Sequence, residues 1–389
     1  MRKFFSTLTM SVLLVCFACA QENKVSVFTS GDEGYQSYRI PAIVKLPKGD
    51  LLAFCEGRVN DSDDFGNIDI VMKRSQDNGK TWSKLQVVVD NDHLQAGNCA
   101  PVVDLTDPAY PKGRLFLFYN TGNNHEGEVR KGKGLREVWY KTSADGGNTW
   151  SDAVNITLQV HKPNQPQINP AYHFSEDWRS FANTPGHAMQ FEQGKYKGRL
   201  YVPANHSAGN PLPHFNDYKA NGYYTDDHGK TFHISEDVST PGGNECMAAP
   251  LYPDGLVMNI RNQSGSEKAR IIAYSKNGGE NWDTAYNDKN LPDPVCQGSI
   301  LRLDSKKGKN VLAFCNAADT SKRDNLTLRI SLDEGRTWDR SITVDRSSDG
   351  QKNNSAYSDI VQISKNKVGI LYEKDEYKKI VFTVVSIDN

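Results

Sequence analysis

One short polar motif occurs five times along the chain, and this repetition limits the possible folds more than any other feature. The motif reads Ser/Thr-x-Asp/Asn-x-Gly-x-Thr/Asn-Trp/Phe. Its first residues are 68, 82, 50 and 56 positions apart. A spacing of about 50 residues indicates one supersecondary unit per copy, and the longer gaps indicate inserted loops. The copies are Ser75–Trp82, Ser143–Trp150, Thr225–Phe232, Ser275–Trp282 and Ser331–Trp338.

Each copy has the composition of a tight turn between two strands. The Asp or Asn side chain can accept backbone hydrogen bonds inside the turn, and the Gly can adopt a positive φ at low cost. The final aromatic ring can pack against a neighbouring strand. Runs such as 68–72 and 85–89 flank the turns and predict strands. We therefore expect the acidic residues of the motif to be structural.

Repeated four-stranded units with periodic Gly and aromatic residues are typical of a β-propeller. Five copies account for five blades. We predict a sixth blade from residues 39–54 joined to a terminal strand at Lys379–Ser386, which closes the ring. The predicted fold class is all-β, a six-bladed β-propeller in which residues 21–389 form a single domain.

The N-terminal segment differs from the rest of the chain. A basic dipeptide precedes an apolar run at 8–17, and the small residues Ala18 and Ala20 follow. This pattern predicts a secretory signal peptide, residues 1–20, that is cleaved near Ala20. The run is too short to span a bilayer. We expect a secreted or periplasmic protein with no membrane span, and a lipid anchor on Cys19 is the alternative.

Charge and cysteine content exclude several classes of function. The formal net charge is −1, so there is no general basic field for nucleic acid. Five scattered cysteines follow the signal peptide, with no CxxC or HExxH motif. This pattern predicts neither a disulfide framework nor a zinc site. We expect buried thiols, no metal and no cofactor.

The residues between the repeated turns resemble the sialidase (exo-α-neuraminidase) family of the bacterial and animal type. The resemblance rests on Tyr-Arg-Ile-Pro at Tyr38–Pro41, on the five turns, which match the family's aspartate boxes, and on arginines placed between them. It extends from about Ser37 to Tyr357. It implies a catalytic propeller that removes terminal sialic acid from glycoproteins, glycolipids or oligosaccharides. We expect a monomer.

Three arginines match those with which the family binds the sialic acid carboxylate. A planar guanidinium pairs with both carboxylate oxygens and stays charged at all working pH values. Arg39 lies in the Arg-Ile-Pro motif, Arg261 follows Glu245 by about one strand, and Arg323 precedes the last turn. Arg329 is the alternative to Arg323.

The resemblance also implies a general acid/base and a nucleophile. The acid/base position falls six residues after Arg58, on Asp64, with Asp63 as the alternative. Crowding of acidic residues there is expected to raise one carboxyl pKa. Tyr357 matches the nucleophile, and Glu245 would take its proton. Sialidases with a Tyr nucleophile are an exception among glycosidases, and we expect retention of configuration.

Four further residues are implied as substrate contacts. Arg58 would support the carboxylate pocket or the 4-hydroxyl, and Asn98 stands where many bacterial relatives have an Asp. We expect Asp104 to be a residue at a strand end. Gln190 would face the glycerol chain, and Asn205 would add a contact.

Two segments and two other functions remain as alternatives. The charged, Gly-rich stretch 125–136 is interpreted as a solvated loop, and the aromatics of the insertion 160–213 either stack on the leaving sugar or form a packed lid. A trans-sialidase or intramolecular trans-sialidase would share the same site. A sialic-acid-binding propeller without turnover is disfavoured, because Asp64, Glu245 and Tyr357 are all present.

Overall fold

A computed structural model describes residues 24–305, 308–348 and 353–388. The predicted signal peptide, residues 1–20, and Cys19 lie outside the described residues. Helix is almost absent from the described chain, which confirms the all-β class. Its helical segments are α1 (Glu126–Val129), α2 (Thr157–Val160) and a 3₁₀ turn (Pro213–Phe215).

All remaining regular structure in the described chain is strand. The first strands are β1 (Val25–Thr29), β2 (Ser37–Lys45), β3 (Leu51–Arg58), β4 (Ile68–Ser75), β5 (Gln86–Val89), β6 (Gln95–Asp104), β7 (Arg114–Gly122), β8 (Arg136–Ser143) and β9 (Val154–Asn155). Then come β10 (Trp178–Asn183), β11 (Met189–Gln190), β12 (Leu200–Ala208), β13 (Tyr218–Thr225), β14 (His233–Ile234), β15 (Gly243–Leu251), β16 (Gly255–Asn262), β17 (Ala269–Ser275) and β18 (Thr284–Pro292). The last are β19 (Gly298–Ser305), β20 (Gly308–Ala317), β21 (Leu326–Ser331), β22 (Arg340–Asp345), β23 (Ser355–Ser364), β24 (Lys367–Lys374) and β25 (Lys379–Ser386).

These strands form five hydrogen-bonded sheets, not six separate blades. Three sheets have four strands, in the orders β1-β25-β24-β23, β15-β16-β17-β18 and β19-β20-β21-β22. A five-stranded sheet has the order β10-β12-β13-β14, with β11 paired to β12. An eight-stranded sheet has the order β2-β3-β4-β6-β7-β8-β9, with β5 paired to β4.

The predicted number of six blades is therefore wrong, and one contact explains the difference. Ile68 of β4 and Gln95 of β6 form a parallel bridge that joins β2–β5 to β6–β9 in one sheet. The repeated motif marks turns within a set of strands and carries no signal for a bridge between sets. The predicted partner of the terminal strand is also wrong, because β25 pairs with β1 and β24, whereas β2 pairs with β3.

Neighbouring sets of strands pack against one another in a closed circuit. Contacts connect β2 to β6, β6 to β11, β12 to β15, β15 to β19, β19 to β23, and β23 back to β2. The core lies between the sheets. Trp178 and Phe181 of the insertion 160–213 are buried with Phe118 of β7 and Val202 of β12. These two aromatics of the insertion thus pack inward, as in the packed alternative.

The repeated turns are held by the bonds that their composition predicts. Asp77 accepts from the Thr81 backbone N–H at 2.9 Å and from its hydroxyl at 2.6 Å. These bonds lower the pKa of Asp77 to about 2. Gly79 has a φ of 87°, and an added Cβ would lie 2.0 Å from the Phe382 ring. The Trp82 ring also contacts Phe382, with centroids 5.5 Å apart, so this turn connects two sheets.

The predicted state of the thiols is confirmed for the described chain. All five cysteines in it are free and buried, at positions Cys55, Cys99, Cys246, Cys296 and Cys315.

Candidate active site

A polar pocket of about 420 Å³ lies where residues from several sheets meet. Because the sheets form a closed circuit, positions more than 300 residues apart in the sequence reach one hollow, as Arg39 and Tyr357 do. Nine of the ten predicted site residues line this pocket: Arg39, Arg58, Asp64, Asn98, Asn205, Glu245, Arg261, Arg323 and Tyr357.

The three predicted arginines lie around the Tyr357 side chain. Arg39 is on β2, Arg261 is on β16, and Arg323 is on the connection between β20 and β21. The Cζ atoms of Arg39 and Arg323 lie 5.7 and 5.4 Å from the Tyr357 ring centroid. Arg261 Nη1 donates to the Tyr357 hydroxyl at 2.8 Å. This arrangement concentrates positive charge beside one phenol and can hold an anion there.

The Tyr357 hydroxyl belongs to a triangle of short hydrogen bonds. It donates to Glu245 Oε1 at 2.6 Å, and Arg261 Nη1 donates to Glu245 Oε2, also at 2.6 Å. Burial raises the pKa of Tyr357 well above its ordinary value, and Glu245 adds to this, while Arg261 and Arg323 oppose it. The phenol is therefore protonated in the free protein, with a carboxylate in position to accept its proton.

A glutamate that the sequence analysis missed fixes the position of Arg39. Glu373 of β24 is fully buried. Its carboxylate accepts from Arg39 Nε at 2.7 Å, from the Ile40 backbone N–H at 2.9 Å and from the Tyr357 backbone N–H at 3.4 Å. Ile40 has a φ of 60°, which is strained for a β-branched residue. Glu373 therefore connects the strand of Arg39 to the strand of Tyr357, and its sequence position, 334 residues from Arg39, gives no signal of this.

Asp64 lies at the rim of the pocket, in the loop between β3 and β4. Its side chain is 79% exposed, and its Oδ1 lies 2.7 Å from Arg58 Nη1. Arg58 also pairs with the buried Glu56 at 2.7 Å. Partial loss of solvent around the carboxylate raises the pKa of Asp64. The positive charges of Arg58 and Arg39 have the larger effect, so the pKa lies below its ordinary value. The expectation that crowded acids raise this pKa is wrong, because the arginines dominate.

The two alternative residues lie outside the pocket lining. Arg329 of β21 is buried, and its Nη1 donates to Asn316 Oδ1 at 2.9 Å. Asp63 is exposed, and its backbone N–H donates to Asp61 Oδ1 at 2.9 Å. The residues preferred over them, Arg323 and Asp64, do line the pocket.

Asn98 and Asn205 both face the pocket. Asn98 has a φ of 51°, and its backbone N–H donates to Glu56 Oε1 at 3.1 Å. Asn205 is buried on β12, where its Nδ2 donates to the Ala182 carbonyl at 3.4 Å. Both residues thus line the pocket, and the substrate contacts that the resemblance implies for them stay predictions.

Gln190 does not reach the pocket, and its predicted contact with substrate is wrong. Its Nε2 donates to Asp104 Oδ1 at 2.7 Å, so the amide is used to brace Asp104, which ends β6 as expected. Asp104 also forms a cluster of potential metal ligands with Asp107 and His228. His228 Nδ1 lies 2.7 Å from Asp104 Oδ2, and Arg114 Nη2 lies 2.9 Å from Asp107 Oδ2. Because a cation already pairs with this cluster, we assign no metal to it.

One wall of the pocket comes from the stretch 125–136. The interpretation of this stretch as a solvated loop holds for its exposed residues, such as Lys131 and Lys133, and misses those that line the pocket. Glu126 of α1 and Arg136 of β8 both line the pocket. Glu126 accepts from the Ser180 hydroxyl at 2.5 Å and from the Tyr218 hydroxyl. The alternating charges and glycines of the stretch resemble an exposed loop, and the buried partners come from distant strands. Nothing local in the sequence could have identified this wall.

The fold and the site together define an all-β, propeller-like protein that can hold an anion beside a tyrosine hydroxyl. The sequence profile of the BNR repeat-like domain matches residues 49–370. The chain is 31% identical over 363 residues to a sialidase of Micromonospora viridifaciens, covering 88% of this chain and 51% of that protein. It is 28% identical over 424 residues to a sialidase of Paraclostridium sordellii, covering 100% and 99%. The chain belongs to the sialidase family.

Solved structures agree with the architecture. The Hadza microbial sialidase Hz136 superposes with a TM-score of 0.76 at 26% identity, covering 93% of this chain and 68% of that one. An intramolecular trans-sialidase from Ruminococcus gnavus superposes with a TM-score of 0.71 at 16% identity, covering 94% and 97%. The second likeness shows the fold alone.

Two further findings concern the extent of the chain. It spans about half of the Micromonospora viridifaciens sialidase, 51%, and 62% of a sialidase of Bacteroides fragilis. Among the helices of the described residues, none has both the length and the apolar character that crossing a membrane requires.

Proposed function

We propose that the protein is an exo-α-sialidase, a glycoside hydrolase that removes terminal sialic acid from glycoproteins, glycolipids or oligosaccharides. One observation carries this proposal, the convergence of Arg39, Arg261 and Arg323 on Tyr357. A sugar acid needs fixed positive groups, and guanidinium groups match its carboxylate in shape and charge. The similarity to sialidases along most of the chain supports the proposal.

Tyr357 is the proposed nucleophile. Glu245, 2.6 Å from the phenol oxygen, takes the phenolic proton as that oxygen attacks the anomeric carbon. The new bond joins Oη to the anomeric carbon, and the glycosidic C–O bond breaks. A neutral phenol with an adjacent base approaches an anionic sugar without the repulsion that a carboxylate nucleophile would meet. The raised pKa of Tyr357 makes such a base necessary.

Asp64 is the proposed general acid and base. It gives a proton to the leaving glycosidic oxygen, and its carboxylate then takes a proton from the water that attacks the anomeric carbon of the sialyl-tyrosine. The bond between Tyr357 Oη and the anomeric carbon breaks in this second step, and Glu245 returns its proton to Oη. Two displacements at one carbon give retention of configuration. The arginines that lower the pKa of Asp64 are the groups that the substrate carboxylate would neutralise. Substrate binding is therefore expected to raise this pKa toward the value that an acid needs.

Hydrolysis of a fluorogenic sialoside by wild type and by Tyr357→Phe tests the proposal. The variant keeps the ring beside the arginines and loses only the attacking oxygen. We expect kcat/KM to fall at least about a hundredfold, which corresponds to roughly 2.7 kcal/mol. Tyr110→Phe is the matched control, because the Tyr110 ring also lies beneath a guanidinium, 4.6 Å from Arg114 Cζ. Normal turnover by Tyr357→Phe would contradict the nucleophile assignment.

The identity of the product separates hydrolysis from the alternatives. Free sialic acid indicates a hydrolase, a sialylated acceptor indicates a trans-sialidase, and an anhydro sugar indicates an intramolecular trans-sialidase. A sialic-acid-binding protein without turnover would give none of these products and would still bind the sugar.

A further inference from the structure

One tyrosine outside the pocket lining contacts two of the arginines that line the pocket. Tyr377 lies in the turn between β24 and β25 and is half-buried. Its ring lies under the Arg39 guanidinium, with 3.9 Å between Arg39 Cζ and the ring centroid. Its hydroxyl accepts a hydrogen bond from Arg323 Nη1 at 3.1 Å. Because Tyr377 is not part of the pocket lining, its effect on a bound ligand must pass through these arginines.

Arg39 is held from two directions. Glu373 binds the edge of the guanidinium, through Nε at 2.7 Å and Nη2 at 3.4 Å. The Tyr377 ring supports the same group from its face, since the negative face of an aromatic ring attracts a cation. The two contacts together fix the position and the tilt of the guanidinium while Arg39 still lines the pocket.

Arg323 depends on Tyr377 in a different way. Within the described chain, its guanidinium donates to the Tyr377 hydroxyl and to the Val295 carbonyl, and both of these partners are neutral. Arg39, in contrast, pairs with the carboxylate of Glu373. A neutral partner orients a guanidinium without cancelling its charge, so Arg323 keeps its full attraction for an anion.

The Tyr377 phenol is protonated and can act as this neutral partner. Burial raises the pKa of Tyr377 above its ordinary value, and the positive charges of Arg323 and Arg39 oppose the increase. The phenol oxygen therefore accepts from Arg323 without adding a negative charge to the site.

The backbone that presents Tyr377 is strained. Asp375, Glu376 and Tyr377 have φ values of 56°, 54° and 68°. Residues other than glycine normally adopt this left-handed conformation singly, not three in succession. The Asp375 and Glu376 backbone N–H groups donate at 3.0 Å to the carbonyls of Asn354 and Asn353. The surrounding chain thus maintains a strained turn at the point where Tyr377 meets the arginines.

The same tyrosine is connected to the proposed nucleophile. Tyr377 packs against a buried cluster that includes Tyr357, Ile40 and Cys296. Arg39 Cζ lies 3.9 Å from the centroid of the Tyr377 ring and 5.7 Å from that of the Tyr357 ring. Tyr377 therefore fixes a guanidinium relative to the phenol that attacks the sugar.

We propose that Tyr377 is a positioning residue of the carboxylate site: its ring supports Arg39 and its hydroxyl orients Arg323, so that both guanidinium groups meet the sialic acid carboxylate beside Tyr357. The inference rests on the proposed function and adds to it a residue that acts without touching the substrate. Loss of Tyr377 weakens the binding of ligands that carry the carboxylate and spares those that do not.

Two variants and two ligands test this role. Tyr377→Phe keeps the ring under Arg39 and removes the hydroxyl that orients Arg323, whereas Tyr377→Leu removes both contacts. We expect the Kd for sialic acid to rise about threefold to tenfold in Tyr377→Phe, the scale of one hydrogen bond. The rise in Tyr377→Leu should be about tenfold to fiftyfold, because the contact between cation and ring is also lost. The Kd for the methyl ester of sialic acid should change by less than about twofold in both variants.

Tyr224→Leu is the matched control, because the Tyr224 ring lies 3.8 Å from Arg199 Cζ and both residues lie outside the pocket lining. It should bind both ligands as wild type does. Equal losses for the acid and the ester, wild-type affinity for the acid in both Tyr377 variants, or the same loss in the control overturns the proposal. If thermal unfolding shows that Tyr377→Leu does not fold, Tyr377→Phe decides, because it keeps the packing of the ring.

Crystal structures of the variants separate this inference from the proposed function. If wild type neither binds sialic acid nor cleaves a sialoside, the proposed function has failed, and the positions of the arginines still decide the inference. Displacement of both guanidinium groups in Tyr377→Leu, and of Arg323 alone in Tyr377→Phe, supports the positioning role. Guanidinium groups that stay in place in both variants overturn it.

Discussion

Replacing Arg323 with Lys is the sharpest test of how the pocket holds an anion. Arg323 Nη1 donates to the Tyr377 hydroxyl and Nη2 donates to the Val295 carbonyl, both at 3.1 Å. Each of these nitrogens has a second hydrogen, so the guanidinium can bind both oxygens of a carboxylate while it stays anchored. Lysine keeps the positive charge and loses this planar pair of donors.

The size of the effect follows from the bond that is lost. A hydrogen bond between charged groups contributes about 1.5–3 kcal/mol. The Arg323→Lys variant should therefore lose roughly 10- to 150-fold in kcat/KM on a sialoside. Arg329→Lys is the matched control, because Arg329 lies on β21, which directly follows the connection that carries Arg323, donates to Asn316 and lies outside the pocket lining.

The assay pairs each protein variant with a change in the ligand. The binding free energies of sialic acid and of its methyl ester are measured for wild type, Arg323→Lys and Arg329→Lys. For each variant, the loss of binding free energy caused by the ester is compared with the loss in wild type. The difference between the two losses is the coupling energy between the side chain and the carboxylate. We expect a coupling of about 1.5–3 kcal/mol for Arg323. The corresponding value for Arg329 should stay within about 0.5 kcal/mol of zero.

The outcome that refutes this reasoning is a coupling for Arg323 no larger than that for Arg329. The carboxylate would then bind elsewhere, and the convergence of arginines on Tyr357 would have a purely structural role. Thermal unfolding of both variants accompanies the assay, so that a loss of binding is not confused with a loss of fold.

Two further predictions concern pH and stability. Arg58 lowers the pKa of Asp64, so Arg58→Met should raise that pKa and keep the acid protonated to higher pH. The basic limb of the plot of kcat against pH should therefore move to higher pH. A limb that stays in place or moves to lower pH would argue against Asp64 as the acid. Burial raises the pKa of Asp227, but bonds from Thr231 and Thr225 bring it to about 2, so its stabilisation is present above about pH 4 and is lost as the pH falls toward the folded value. Asp227→Ala should therefore lower the free energy of unfolding at neutral pH by about 1–3 kcal/mol in urea titrations and leave kcat/KM unchanged; lost activity in the folded variant would contradict a structural role for this turn.

The features that the sequence predicted well are local or repeated. The turn at Asp77 could be predicted because its donors lie within four residues of the carboxylate. The pocket residues Arg39, Glu245 and Tyr357 could be found because their order along the chain matches a known family. Neither source of information required knowledge of how the sheets pack.

The features that could not be predicted depend on contacts between distant strands. Glu373 lies in an ordinary strand sequence. Only in the folded chain does its carboxylate accept hydrogen bonds from Arg39 and from the Tyr357 backbone N–H. Gln190 matches the family's pattern through the residues beside it in the sequence, but its amide donates to the buried carboxylate of Asp104. The predicted number of blades was wrong for the same reason, because a single bridge at Ile68 joins two sets of strands into one sheet.

The pairing of β1 with β25 has a consequence for how the protein is made. The sheet that carries Tyr357 contains β1 and the last three described strands, so it is completed only after the residues of β25 have left the ribosome. The other sheets pair strands that follow closely in the sequence and can form earlier. A chain synthesised only as far as β22 therefore contains Glu245 and Arg261 without Tyr357, and the hydrogen bonds among these three residues form only after β23 has been made.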